Sequence, residues 1–318
     1  MSDSIRRVKR VSRPFIVLMY VVCIFFAILS LLPFVIMVIN STRSTYQVQQ
    51  HALSFLPSKY LFSNLKILTS KDTFHPIRGF VNSLIISSGT TICAVYFSTL
   101  TAYALVAYQW KLRNAFFSLV LAVMMIPTQV TSIGFYQMMY RVHMTNNFLP
   151  LILPAIASPS MVFFMRQYMI PSLPLEIVES ARVDGCHEFR TFNQIVIPMV
   201  KPAMATQGIF CFVASWNQLF LPQILLTKKK LYTMPIMVSL LKGDIYKTEY
   251  GAVYLGLALT VLPLFIVYFL LSKYIIAGVA LGGVCYHMGK KGCSLCHLIK
   301  ENTLESSTKR LTKCSLSA

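Results

Sequence analysis

Of 318 residues, 56% are hydrophobic and only 12% charged, and the mean hydropathy is +0.63. Soluble domains carry about 25% charged residues, so this composition, with several apolar runs of roughly 20 residues, excludes an ordinary soluble protein and predicts a polytopic membrane bundle. The net charge of +19 does not indicate nucleic acid as a partner, because the basic residues lie in short inter-span segments, at span ends and in the termini, where lipid and topology explain them.

In chain order, residues 1–14 form a basic N-terminus with Arg6, Arg7, Lys9, Arg10 and Arg13 against Asp3. The uncharged run 15–39 is too long for a signal peptide and lacks a small-residue cleavage site, which predicts a retained first span and a cytoplasmic N-terminus. A polar connection, 41–79, leads to a second span at 83–108, rich in Ser, Thr, Gly and Ala, the composition that lets helices approach closely in lipid. A basic turn with Lys111 and Arg113 precedes a third span at 115–135, interrupted by Pro127. A fourth span is expected at 149–170, a fifth at 204–226 and a sixth at 253–277. The expected fold is all-α, with six transmembrane helices over residues 15–284.

Six spans put both termini, the Lys111/Arg113 turn and the segment between the fourth and fifth spans on the cytoplasmic side. Lys plus Arg then divide 18 inside against 11 outside, a bias in the direction of the positive-inside rule. Arg166, Lys201 and Lys273 fall at cytoplasmic span ends, where long cationic side chains can snorkel. No Asp or Glu falls inside any expected span, although ion-coupled carriers use an intramembrane carboxylate as a relay. The energy for any transport is therefore expected from outside this chain.

The segment 171–202 stands apart. It holds four of the ten acids, Glu176, Glu179, Asp184 and Glu188. Pro174 suits a helix start, Glu176 and Glu179 favour the positive end of the helix dipole, and Asp184-Gly185 supplies a turn with glycine able to take the left-handed conformation. A helix is predicted at 175–183, followed by a shorter one at 186–193, with Pro198 and Pro202 marking the approach to the fifth span. A helix that merely lay on lipid headgroups would be rich in Lys and Arg; four acids with two arginines favour protein docking, with the small Ser180 and Ala181 letting the helix sink into a groove.

Glu179-Ser-Ala-Arg-Val-Asp184-Gly185, followed by Phe189, Phe192, Pro198 and Pro202, resembles the E-A-A-x-x-D-G loop of binding-protein-dependent ABC importer permeases. Asn82-Ser83, Ser215-Trp216-Asn217 with Pro222, Tyr232-Thr233-Met234-Pro235, Pro263, and Lys273-Tyr274-Ile275 to Gly278 with Gly282-Gly283 extend the likeness to the carbohydrate branch, the subunit type of the maltose and glycerol-phosphate systems. The resemblance implies a multi-pass subunit of the bacterial inner membrane that transmits ATPase motion through Glu179, Ser180, Ala181, Arg182, Asp184 and Gly185. Ser180 and Cys186 stand where that family has alanine, both small replacements. The implied partners are a second homologous permease, two cytoplasmic ATPase subunits, an extracellular solute-binding protein and membrane lipid.

The chain itself lacks the GxxxxGK[ST] nucleotide pattern, so neither catalytic residues nor a cofactor are expected on it. Trp216, Asn217 and Gln129 are the candidates for a substrate path, since aromatic faces and amides suit sugar hydroxyls, although amides also serve as interhelical bonds. An importer of amino acids or peptides is the alternative within the family, disfavoured by the Tyr232–Pro235 element. Residues 285–318 depart from the family pattern. They contain Cys293-Ser-Leu-Cys296-His297, the haem c attachment pattern, so a membrane-anchored cytochrome is the alternative class. The cytoplasmic side expected for this tail and the lack of a second motif oppose it, as the irregular spacing with Cys314 and His287 opposes zinc. Cys23, Cys93, Cys186 and Cys211 read as small apolar fillers, with no disulfide framework expected.

Overall fold

The computed structural model describes residues 13–70, 74–242 and 248–287, with side chains from 14 to 269. Regular structure among the described residues is helical throughout. The helices are α1 (Arg13–Ser41), α2 (Thr45–Gln50), α3 (Leu61–Ser70), α4 (Pro76–Ala107), α5 (Arg113–Met124), α6 (Thr128–Arg141), α7 (Leu149–Ile152), α8 (Pro159–Ser172), α9 (Leu175–Val183), α10 (Glu188–Thr191), α11 (Ile197–Trp216), α12 (Phe220–Leu225), α13 (Met234–Leu241) and α14 (Tyr250–His287). Among them are five stretches long and apolar enough to cross a membrane: Pro14–Ser41, Pro76–Ala107, Leu149–Ser172, Glu188–Trp216 and Tyr250–Phe269. Counting the bent pair α5 and α6 as one span makes six.

The third span shows the interruption expected at Pro127, and the fifth differs from the sequence reading. The third span is not one rod, because α5 and α6 meet at 95°. Pro127 sits in extended backbone at the start of α6, and the steric demand of a proline on the residue before it ends α5 early. The fifth span begins at Glu188, well before the expected residue 204, and runs through both Pro198 and Pro202 to Trp216. A single π turn at Phe192–Val196 joins α10 to α11. This wider turn gives the backbone slack just where Pro198 cannot donate a hydrogen bond. Further along, the Thr206 hydroxyl donates to the Pro202 carbonyl at 3.0 Å, a side-chain bond of the kind that lets membrane helices carry prolines.

Contacts divide the chain into two units, Met1–Phe74 with Val238–Val261, and His75–Met237 with Leu262–Ala318. In the first, the connection after α1 is folded rather than loose. Arg43, 6% exposed, donates to Asn40 Oδ1 at 3.1 Å and to the carbonyls of His51 at 2.5 Å and Gln47 at 3.0 Å. Asn64 Nδ2 donates to the carbonyls of Ser41 and Arg43 at 2.8 and 2.9 Å. Ser44 and Gln47 close a capping box on α2, which satisfies backbone donors left open at a helix start. Gly251 packs so tightly here that a Cβ would lie 2.3 Å from the Arg43 carbonyl oxygen. These bonds consume the polar groups of a loop that composition alone presents as solvated.

In the second unit α4 is the central rod, packed against α8 and α11. Its buried face carries Ala94, Ser98, Thr99 and Ala102, so the small residues do bring neighbouring helices close, as their composition predicts. The core adds Met161, Met165 and Met169 from α8 and Val196, Val200 and Ala203 from the span that follows. At the opposite end of α4, Asn82 Nδ2 donates to the carbonyls of Lys230 and Tyr232, both at 3.0 Å. Ser83 Oγ accepts from the Met234 amide at 2.9 Å. Asn146, in left-handed backbone at φ 57°, accepts on its side-chain oxygen from the amides of Thr227 and Lys228 at 2.8 and 2.9 Å. The loop 226–234 is thereby stapled to the helices beneath it.

Candidate coupling surface

The predicted helix at 175–183 is present with those bounds as α9. Pro174 stands at its N-cap, Glu176 in the first turn and Arg182 in the last, so the charges complement the helix dipole at both ends. Its C-terminus closes with paired backbone bonds, Cys186 N–H to the Ala181 carbonyl at 3.0 Å and Gly185 N–H to the Arg182 carbonyl at 3.1 Å. Gly185 has φ +78°. This is the Schellman arrangement, which requires a left-handed residue after the cap.

The helix has two faces. Val178 and Ala181 are buried, at 1% and 0% exposure, and Val178 belongs to the core that holds Tyr103 and Phe192. Glu176, Glu179, Ser180, Val183 and Asp184 are exposed and line a shallow depression. Of the six residues singled out for coupling, Glu179, Ser180, Asp184 and Gly185 are therefore open to a partner. Ala181 is not: the groove into which it was expected to sink belongs to its own chain. Arg182 also turns inward. Val183, 88% exposed, is the apolar residue on the open face that sequence reasoning missed.

Arg182 is held across the glycine turn. Its Nε lies 2.6 Å from Glu188 Oε1, and its guanidinium sits 4.7 Å above the Tyr108 ring. The other carboxylate oxygen of Glu188 accepts from the Tyr108 hydroxyl, and from the Tyr103 hydroxyl at 3.3 Å. Tyr103 lies in α4 and Tyr108 directly after it, so three elements meet on one carboxylate. The hydrogen bond to Glu188 holds the Arg182 guanidinium above its ordinary value. Burial first, and then the bond to Glu188, raises the Tyr108 hydroxyl. Glu188 was legible as one of the clustered acids, but nothing in the sequence joins it to Tyr108, 80 residues away.

The three substrate-path candidates are not brought together. Trp216 is 1% exposed and packs edge-on to Phe80 at 5.6 Å and stacked with Phe212 at 5.8 Å. Asn217 and Gln129 are exposed. Asn217 caps the end of α11, and Gln129 sits in the first turn of α6, just after the sharp bend. Among the cysteines, Cys23, Cys93 and Cys211 are free thiols, whereas Cys186 is disulfide-bonded, contrary to its reading as filler. The Cys293–Cys296–His297 pattern, Cys314 and the basic N-terminal segment before residue 13 lie outside the described residues.

Residues 94–280 match the family described as binding-protein-dependent transport system inner membrane component. The arabinooligosaccharides transport system permease protein AraQ of Bacillus subtilis is 34% identical over 266 residues, covering 82% of this chain and 94% of its own length. The lactose transport system permease protein LacG of Rhizobium radiobacter is 30% identical, covering 81% and 92%. The sn-glycerol-3-phosphate transport system permease protein UgpE of Pectobacterium atrosepticum is 27% identical, covering 78% and 90%. In fold, the chain is similar to a chain from the crystal structure of a bacterial ABC transporter involved in the import of the acidic polysaccharide alginate. The TM-score there is 0.70 at 22% identity, over 83% of this chain and 98% of that one.

Proposed function

The chain belongs to the binding-protein-dependent transport system inner membrane components, and from that premise we propose that it is a permease subunit of an ATP-driven sugar importer. The spans form part of the translocation path, and α9 receives motion from an ATPase on a separate polypeptide. The observation that carries this reading is the two-faced seat of α9. Its apolar side is packed into its own spans, and its other side offers acids around a depression to a partner. The curated relatives are transport proteins for arabinooligosaccharides, lactose and glycerol phosphate, which supports a carbohydrate or sugar derivative over an amino acid or peptide as cargo.

A second homologous permease, two ATPase subunits and an extracellular solute-binding protein complete the transporter, with both termini of this chain in the cytoplasm. Solute release follows when closing ATPases draw the coupling helices together and one bundle rocks against the other. The test is uptake of labelled oligosaccharides by cells that depend on this chain. Loss of uptake on its deletion, restored by the intact chain and not by one carrying Gly185→Val at equal membrane level, is the expected result. Full uptake by that variant overturns the coupling role of α9.

A further inference from the structure

We propose that Arg182 and Glu188, with Tyr108, form a clasp that makes α9 move as one body with the ends of α4 and α10, so that both charged residues are positioning residues for coupling. The inference rests on reading α9 as the coupling element, and it begins with the joint at the end of that element. α9 joins the following span through a left-handed turn at Gly185, where nothing lies within 4 Å of the position a Cβ would take. A push on the exposed acids of α9 meets this turn first, a single left-handed glycine closed by two backbone bonds. If the turn simply flexed, motion would be absorbed there and would not reach the spans.

The clasp bridges that turn. Arg182 stands three residues before Gly185 and Glu188 three after it, and their 2.6 Å contact closes a ring around the glycine. Two features make this more than a surface ion pair. The carboxylate is occupied on both oxygens, by Arg182 on one and by Tyr108 and Tyr103 on the other. The guanidinium is also stacked 4.7 Å above Tyr108, a planar fit that lysine would not reproduce. Elsewhere on α9, Val178 is seated in the core with Phe192 and Tyr103, and Ala181 is fully buried. The helix is thus gripped on its apolar side by packing and on its polar side by charge. The same aromatic pair, Tyr103 and Phe192, with rings 5.6 Å apart, touches both grips. Displacement of α9 therefore reaches α4 through Tyr103 and Tyr108, and α11 through Glu188 and the π turn.

The experiment uses the complete transporter in lipid vesicles, comparing Arg182→Ala, Glu188→Gln and the exchanged pair Arg182→Glu/Glu188→Arg. The quantity read is solute taken up per ATP hydrolysed. A coupling element of this kind changes linked equilibria by about fivefold or more. Each single variant is expected to lower the ratio by at least that, and the exchanged pair, which restores the ion pair without the Tyr108 stacking and the tyrosine hydroxyl bonds, to recover part of it. Singles with an unchanged ratio, singles that lose hydrolysis and uptake in proportion, or an exchanged pair no better than the singles would each overturn the clasp. A second measurement does not depend on transport. A spin label on Val183→Cys is expected to gain mobility when Glu188→Gln is added and to regain order in the exchanged pair; equal mobility in all three overturns the proposal. If the unaltered transporter shows no solute-linked ATP hydrolysis, the importer reading fails instead, and the label still decides whether the clasp orders α9.

Discussion

The two ends of α4 fasten loops to helices by different means. Near its N-terminus, Asn82, Ser83 and Asn146 use neutral side chains to bind the backbone of 226–234, in surroundings where Asn82 is 8% and Ser83 2% exposed. Near its C-terminus, α9 is held by apolar packing on one side and by a partly exposed ion pair on the other, the two side chains being 32% and 46% exposed. Buried amide-to-backbone bonds are costly to break, because the groups left behind have no water to turn to. An exposed pair is worth little in stability, at most about 1 kcal/mol. One end is therefore fixed by buried polar bonds, whereas at the other packing holds the helix in place and the ion pair adds direction at little energy.

Substitutions can break this contrast. Asn82→Leu removes two bonds and strands two carbonyls, so it is expected to destabilise the folded protein by about 2–4 kcal/mol, read as a lower unfolding midpoint in detergent. Asn146→Ala loses its bonds to the loop and keeps an unfavourable left-handed backbone, at an expected cost of about 2 kcal/mol. Asn146→Gly relieves the backbone strain and should cost about half as much. Gly185→Val has open space around it, so only the φ of +78° is penalised. The expected stability loss is about 1–2 kcal/mol, with normal membrane level and uptake reduced out of proportion to it. Glu188→Gln should change stability by less than about 1 kcal/mol, after allowing for solvent screening of the exposed pair. A stability loss at Glu188 equal to that at Asn82 would erase the distinction between the two ends.

Much of the architecture was legible because membrane helices announce themselves by length and apolarity. The helix at 175–183 and its left-handed glycine could be read from Pro174, two early acids and Asp184-Gly185. The misreading came where a proline has two possible effects. Pro127 breaks its span as expected, to 95°, whereas Pro198 and Pro202 are carried inside a helix. A π turn and a threonine hydroxyl compensate there, and neither shows in a periodicity. The motifs Asn82-Ser83 and Tyr232–Pro235 were each visible, but not that the first holds the second. Ala181 and Arg182 were given to the partner by the motif and by side-chain size, and neither shows which side of the helix meets the chain's own core. The grip of Tyr108 on Glu188 was hidden for the same reason, since sequence separation carries no information about contact.

The right-angled break between α5 and α6 sets a condition on the lipid around it. At 1.5 Å per residue the two halves, of 12 and 14 residues, are about 18 and 21 Å long, each short of a hydrocarbon layer of about 30 Å. Between them Met125 is 84% exposed, and the backbone from Met125 to Pro127 has left the helix. Irregular backbone at membrane depth is stable only where protein or water covers it. A solitary copy in a bilayer would therefore thin or wet the membrane at this corner. Added water at Met125, detectable by the polarity of a probe there, would report whether the corner is covered.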